Sequence, residues 1–241
     1  MNNILEKSMP IDEAARYLGV SKMTLRRWDA SGKLKASFLS PGSHRYYLLS
    51  DLQKFTRGLY RIAEEWAQAE TATEPSAEFY SATNDRFKTR LERMALEIAD
   101  VPTLTPISAL ISSAAGEIGN NSFDHNLGNW PDLPGVFFAY DLAKRVIVLA
   151  DRGVGVLATL RRIEPKLADD EDALRLAFTK IITARAPEHR GNGLKYVREA
   201  INLANARLSF RSGNTELTIV KGEMNIKKAA PIRGTLTMIN F

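Results

Sequence analysis

The chain has 241 residues, of which 44% are hydrophobic and 25% are charged, values that are ordinary for a globular protein. It contains no cysteine, which excludes disulfides, thiolate zinc sites and cysteine nucleophiles, and no run of 18 apolar residues that would predict a transmembrane helix. The first residues lack the apolar segment of a secretion signal, so we expect a cytoplasmic protein with no membrane partner.

The net charge of +5 is unevenly distributed along the chain. Residues 1–58 hold ten Lys and Arg against five Asp and Glu, whereas residues 59–100 hold five against nine. A small basic segment indicates either a nucleic-acid surface or charge that serves solubility.

Two short helices are predicted in the basic segment. Residues 10–19 have apolar side chains at helical spacing and end in Gly19, as is typical of a helix C-terminus. Ser21 is expected to cap the second helix, SKMTLRRWDASG, by accepting a backbone N–H from its first turn. On that helix Leu25 and Trp28 share the inward face, and its basic side chains lie largely off that face.

A strand and a long helix are predicted next. A Pro-Gly turn at residues 41–42 precedes the segment RYYLL, which suits a short strand. Ser50 is expected to cap a helix that continues to Gln68. The polar segment 71–78 contains a proline and is the best candidate for a linker.

Residues 9–57 resemble the winged helix-turn-helix of the MerR and excisionase-like family. The resemblance rests on GVSKMTLRRWDASGKL for the second helix and its exit, and on PGSHRYYLLSDL for the wing. It implies that a helix enters the major groove of double-stranded DNA while the wing reaches the neighbouring backbone. The DNA-binding residues that it implies are Lys22, Thr24, Arg26, Arg27, His44, Arg45 and Tyr47. A degenerate domain that contacts protein instead is the alternative.

The remaining residues predict helices mixed with strands. A helix over residues 79–98 carries Phe87, Leu91, Met94 and Ile98 at helical spacing, which is typical of a core-facing or helix-pairing surface. Helices with an intervening loop are expected over 156–202. Strands are expected at 135–142, 145–151, 207–212, 216–221 and 234–241, the first two as a hairpin.

Three polar residues share one face of the helix predicted after residue 105. Glu117, Asn121 and Asp124 are spaced at i, i+4 and i+7, and His125 follows them. A carboxylate beside a carboxamide can hold Mg²⁺ with its waters, and an acid can orient an attacking water. Capping or surface polarity would explain this pattern alone equally well.

Two glycine-containing motifs follow. Asp151 ends an apolar strand and is followed by Gly153 and Gly155, which would allow a ligand to approach the backbone. Gly191 and Gly193 precede an amphipathic helix, where exposed N–H groups favour phosphate. The chain has no Walker GxxxxGK[ST] motif, which excludes a P-loop enzyme.

The order of these three motifs resembles the GHKL superfamily, which includes the ATPase domains of gyrase, MutL, heat-shock chaperones and histidine kinases. The resemblance spans residues 105–241 and implies a two-layer α/β sandwich of the Bergerat type, with a mixed sheet on one side and helices on the other. ATP and Mg²⁺ are the implied cofactors, with a lid within residues 157–190. The implied catalytic base is Glu117, and the implied metal ligand is Asn121. The implied ATP-binding residues are Asn121, Asp124, His125, Asp151, Gly153, Gly155, Arg190, Gly191, Gly193 and Leu194; Arg185 and His189 could also reach phosphate.

The histidines bear on the type of reaction. The only three are His44, His125 and His189, so none lies on the helices of residues 51–100 where a phosphoacceptor is expected. This argues against histidine autophosphorylation. The segment EIGNNSFD resembles the hydrolysing branches of the superfamily, whereas GNNSFDHNLG also resembles the anti-sigma serine kinases.

The expected fold class is therefore α+β, in three parts. Residues 1–58 form a winged helix-turn-helix, residues 59–104 a helical connector, and residues 105–241 the ATP-binding domain. We expect a DNA-binding regulator whose DNA affinity or oligomeric state is gated by ATP, as a homodimer through residues 51–70 or 79–98 and with a further protein partner. A serine/threonine kinase of anti-sigma type and a regulator with an inactive nucleotide fold are the alternatives.

Overall fold

The N-terminal unit consists of two short helices and a three-stranded antiparallel sheet. The computed structural model describes residues 8–18, 20–40, 44–180 and 193–241. Ser21 accepts a hydrogen bond of 3.0 Å from the backbone N–H of Thr24, which confirms the predicted helix cap. The elements are β1 (Ser8–Pro10), α1 (Ile11–Leu18), α2 (Lys22–Ser31), β2 (Phe38–Ser40) and β3 (His44–Leu48), with β3 in the middle of the sheet.

Helix α3 (Leu49–Gln68) joins this unit to the rest of the chain. Leu48 is its N-cap residue and makes no side-chain capping bond, so the predicted capping role of Ser50 is wrong. The predicted domain boundary after residue 58 falls inside this helix. The N-terminal unit is therefore joined to the following residues by continuous helical backbone.

The C-terminal part contains a five-stranded sheet in which every described pairing is antiparallel. The mixed sheet implied by the resemblance is therefore wrong for these strands. Lys221 and Gly222 have φ of 50° and 83°, as in a two-residue hairpin turn, and this turn forces the last two strands to run antiparallel. The order is β4 (Tyr80–Ser81), β5 (Val136–Asp141), β6 (Val146–Asp151), β8 (Glu223–Asn240) and β7 (Arg207–Val220).

Strands β5 and β6 form the predicted hairpin, with Val136 opposite Asp151. The segments 207–212 and 216–221, predicted as separate strands, are one strand, β7. They are continuous because a register shift near Gly213 lets both segments pair with β8.

The pleat of this sheet divides the apolar side chains into two cores. Phe138 and Leu149 pack on the helices of one face, whereas Phe137 and Val148 pack on α3 and the N-terminal unit at the other face. Within residues 105–241 the helices pack on one face of the sheet, and α3 with the N-terminal unit, which precede these residues, covers the other face. The remaining helices are α4 (Asn84–Ala99), α5 (Ser108–Asn126), α6 (Gly155–Leu160), α7 (Asp170–Thr179) and α8 (Gly193–Leu203).

The two segments predicted to dimerise use their apolar faces within the chain. Helix α4 begins at Asn84, five residues later than predicted, and its Phe87, Met94 and Ile98 are buried in the core that also contains α5. On α3, Leu59 and Ala63 are buried in the core on the opposite face. Neither stripe therefore remains as the open pairing seam that the sequence allowed.

We predict opposite effects for two glycine-to-alanine substitutions. A Cβ on Gly119 of α5 would collide with the ring of Phe87, so Gly119→Ala should lower the free energy of unfolding by about 1–3 kcal/mol. A Cβ on Gly58 of α3 meets no atom within 4 Å, so Gly58→Ala should raise it by up to about 1 kcal/mol through helix propensity. Urea denaturation would measure both, and an unchanged Gly119→Ala midpoint would contradict the tight α4–α5 contact.

Candidate functional site

A cavity of about 620 Å³ lies between α5, the sheet and the N-terminal end of α8. Asn121 of α5 and Asp151 at the end of β6 both line it, so the first and second sequence motifs meet at one site. A volume of this size is within the range of pockets that hold small-molecule ligands and cofactors, about 300–1,000 Å³. The predicted site residues on the wall are Glu117, Asn121, Asp124, His125, Asp151, Gly155, Gly193 and Leu194.

Helix α5 has polar residues on its cavity side because its other sides are needed for packing. Ile111, Ala115 and Ile118 are buried in the core shared with the sheet. Gly116 lies against Leu91 of α4, where a Cβ would come within 3.0 Å of the leucine side chain. The face left over carries the acid and carboxamide groups.

The carboxylate of Asp151 is the most deeply buried ionisable group of the site. Its Oδ2 accepts hydrogen bonds from the hydroxyls of Ser122 (2.8 Å) and Thr235 (2.5 Å), and its Oδ1 accepts one from the backbone N–H of Gly153 (2.8 Å). Burial raises the pKa of this carboxyl, and the three hydrogen bonds oppose the shift. The result is a fixed acceptor at the floor of the cavity.

The two glycines after Asp151 have different roles. Gly155 lines the cavity with φ of 79°, a conformation that favours glycine. Gly153 is absent from the wall of this cavity: it packs against the side chain of Asn126, which leaves no room for a Cβ. Asn126 Oδ1 accepts a hydrogen bond of 2.8 Å from the N–H of Val154, so Asn126 holds the glycine turn in position.

The start of α8 lies against the polar face of α5. A Cβ on Gly193 would come within 2.9 Å of Glu117 Oε2 and 3.1 Å of Asn121 Nδ2. Glycine therefore allows the backbone at the start of this helix to approach both side chains. Leu194 lines the cavity beside it. Four further predicted residues, Arg185, His189, Arg190 and Gly191, lie outside the described residues.

Sequence reasoning missed several residues of this site. Ser122 and Thr235 bind Asp151, and Asn126 holds the glycine turn. For Thr235, the sequence offered one indication: it follows Gly234 at the start of a predicted strand. Asn84 and Lys88 also line the cavity from α4, a helix that belongs to none of the three motifs.

The residues present fit a nucleotide bound with a divalent cation. Within the described residues no group of three His, Asp or Glu side chains could hold a metal by itself. Mg²⁺ suits such a site because it is commonly held by one or two protein oxygens together with substrate phosphates and water. Asn120 lines the cavity, and its Oδ1 is buried without a hydrogen-bond partner, which is uncommon for a buried polar atom and is consistent with a site that a ligand completes.

The N-terminal unit exposes part of the basic set predicted to face DNA. Lys22, Arg26 and His44 are exposed, and Lys22 also contacts Asp12. Arg27 is 63% exposed and is paired with Glu78 from the segment before β4. Arg45 is less available, because its Nε lies 2.6 Å from Asp29 Oδ2 and fastens the wing strand to α2. This hydrogen bond holds the pKa of Asp29 below its usual range.

Two residues predicted to face DNA point inward instead. Thr24 is 6% exposed, and its hydroxyl lies 2.9 Å from that of Ser21, where it belongs to the helix cap. Tyr47 is fully buried, and its hydroxyl donates to the carbonyl of Leu25. Burial raises the pKa of Tyr47 to about 12. Both predictions are wrong for the same reason: a small unit needs these side chains for its core.

Comparison with known proteins identifies the N-terminal unit. Residues 9–60 match the family model described as a helix-turn-helix domain. These residues therefore form a helix-turn-helix domain. Over 64 residues the chain is 36% identical to the Type II methyltransferase M.Eco47II of Escherichia coli. That similarity covers 27% of this chain and 15% of the methyltransferase. No helix within the described ranges has the length and apolarity needed to cross a bilayer.

We predict that Asp151→Asn changes how stability depends on pH. Because the folded chain raises the pKa of Asp151, its stabilising contribution is complete below the unfolded value of 3.8 and is lost as pH rises through the folded pKa. Asparagine can still accept from the Gly153 N–H with its oxygen and can donate its NH2 group to the two hydroxyls, and it does not ionise. The free energy of unfolding of the variant, relative to the unsubstituted chain, should therefore increase as pH rises above 3.8.

Urea denaturation at several pH values would measure this difference. Asp85→Asn, at an exposed acid on α4, removes a carboxylate that is not buried and is the matched control. Parallel profiles for the two variants would contradict the assigned environment of Asp151.

Proposed function

We propose that this chain is a DNA-binding regulatory protein whose C-terminal part binds ATP with Mg²⁺ in the manner of the GHKL superfamily. The helix-turn-helix domain supports the DNA-binding part. The shared cavity of Asn121, Asp151 and Gly193 supports the nucleotide part, and it is the observation on which this proposal chiefly depends. ATP occupancy would gate the affinity for DNA or the oligomeric state.

Each motif has a defined role in this proposal. The buried Asp151 carboxylate would accept a hydrogen bond from the exocyclic amine of adenine. Asn121 would ligate Mg²⁺ through its carboxamide oxygen, and the metal would offset the charge of the phosphates. Gly193 and Leu194 would bring backbone N–H groups to the phosphates. Glu117, beside Gly193, would accept the proton of an attacking water.

A physical connection between the cavity and the DNA-facing surface supports gating. Helix α4 lines the cavity with Asn84 and Lys88. Two residues later, Arg90 donates hydrogen bonds to the backbone carbonyls of Glu78 and Phe138. The side chain of Glu78 is 7% exposed and pairs with Arg27 of α2. A ligand that moves α4 would thus change the availability of Arg27 for DNA phosphate.

We predict that two substitutions separate ATP binding from ATP turnover. Asn121→Ala should abolish binding of Mg·ATP, because a metal ligand is lost, whereas Glu117→Ala should keep binding and slow phosphate release. Isothermal titration with ATP and Mg²⁺, followed by a phosphate-release assay, would measure both. Asn202→Ala, on the exposed side of α8, is the control. Unchanged ATP affinity in Asn121→Ala would contradict the proposed site.

We predict that DNA affinity depends on the nucleotide state and on the Arg27–Glu78 pair. Fluorescence anisotropy with duplex DNA should give different affinities with ATP, with ADP and without nucleotide. Without nucleotide, Glu78→Gln should tighten binding about threefold or more, since it leaves Arg27 without its competing carboxylate.

Glu70→Gln removes the same charge from an exposed position directly before the polar segment 71–78 and is the control for general electrostatics. Equal DNA affinities in all three nucleotide states would contradict the proposed gating by ATP. Equal changes in DNA affinity in Glu78→Gln and Glu70→Gln would contradict a specific role of the Arg27–Glu78 pair.

A further inference from the structure

Helix α4 contributes a cation to the nucleotide cavity from outside the three sequence motifs. Lys88 is exposed and lines the cavity together with Asn84 of the same helix. The described contacts include no ion pair for Lys88. The motif residues of α5 that line the same cavity are acids and carboxamides. Lys88 therefore adds a positive charge to a wall whose other polar groups suit a metal ion and a water molecule.

The register of α4 against α5 locates Lys88 along the cavity. Leu91 of α4 lies against Gly116, and Phe87 lies against Gly119. The two helices therefore run in opposite directions here, and Lys88 is level with the turn that contains Glu117 and Asn120. Gly193 at the start of α8 approaches this same turn from the other side.

Two buried carboxamide oxygens mark this wall as incomplete without a ligand. Asn84 and Asn120 line the cavity, and the Oδ1 atom of each is buried with no hydrogen-bond partner among the described residues. An unsatisfied buried acceptor is destabilising, so this wall favours a ligand that brings donors, such as hydroxyl groups or metal-bound waters. A phosphate with a hydrated cation supplies such donors and also matches the charge of Lys88.

We propose that Lys88 binds the terminal phosphate of ATP and makes the cavity prefer ATP to ADP. This inference rests on the proposed ATP-binding function and names a specificity residue that none of the three motifs contains. Because Lys88 is level with Glu117, it meets the phosphate that is farthest from the adenine acceptor Asp151. Its contact is therefore lost when the third phosphate is absent.

The test compares ATP, ADP and adenosine by isothermal titration with Mg²⁺. Lys88→Met keeps the length of the side chain and removes its charge. It should weaken ATP about tenfold or more, weaken ADP less, and leave adenosine unchanged. Lys88→Arg should retain most of the preference for ATP. Arg86→Met, at an exposed position on the same helix, should change none of the three affinities.

The outcomes separate this inference from the function on which it rests. Failure of the unsubstituted chain to bind ATP would overturn the proposed function and the inference together. Normal ATP binding with an unchanged ATP-to-ADP ratio in Lys88→Met would overturn the role of Lys88 alone. Equal loss of ATP and adenosine would also overturn it, since a phosphate contact cannot affect adenosine.

Discussion

The pleat of the central sheet determines on which face each polar group of the sheet lies. Asp151 is the last residue of β6 and Arg152 follows it directly, and their side chains point to opposite faces of the sheet. Asp151 lines the cavity, whereas the fully buried Arg152 donates to the carbonyl of Trp66 and to Asp132 on the α3 side. A shift of one residue in the register of β6 would exchange the two and would abolish both the cavity floor and the anchor of α3.

The same alternation recurs on β7. Arg211 pairs with Glu64 of α3, while Ser212 accepts a hydrogen bond of 3.0 Å from the N–H of Val156 in the first turn of α6. Two buried arginines thus fasten α3 to the sheet, each one residue from a group that shapes the cavity side. Removing either carboxylate partner would leave a buried charge unpaired, which is far more costly than losing a surface pair. The helix-turn-helix domain is therefore joined to the C-terminal part through α3.

The sequence predicted the parts that follow local rules. The cap at Ser21, the apolar stripe containing Phe87 and Met94, and the hairpin of β5 and β6 depend on short-range patterns, and the structure confirms them. Thr24 and Tyr47 were assigned to the DNA surface from a motif. Their burial depends on three-dimensional packing within a small unit, which cannot be predicted from the spacing of residues along the sequence.

The candidate cavity was also predicted only as far as local sequence patterns allow. Each of the three motifs contributes residues to the wall, and their identity could be predicted because the chemistry of each is local. The contacts of Ser122 and Thr235 with Asp151 and the position of Lys88 could not, since each forms only when segments far apart in the sequence pack together. The antiparallel pairings of β4 with β5 and of β6 with β8 were missed because no local pattern specifies the direction of strands that are far apart in the sequence.

Helix α4 connects the candidate cavity to the helix-turn-helix domain. Burial lowers the pKa of Arg90 to about 10, so this side chain is still charged at neutral pH and its carbonyl contacts are charge-assisted. Those contacts fix the backbone of Glu78, whose carboxylate holds Arg27 of the helix-turn-helix domain. A ligand contact at Lys88, about half a helical turn from Arg90, acts on the same rigid helix. Any difference in the position of α4 between ligand states would therefore reach Arg27 through two direct contacts, without requiring the sheet or α3 to move.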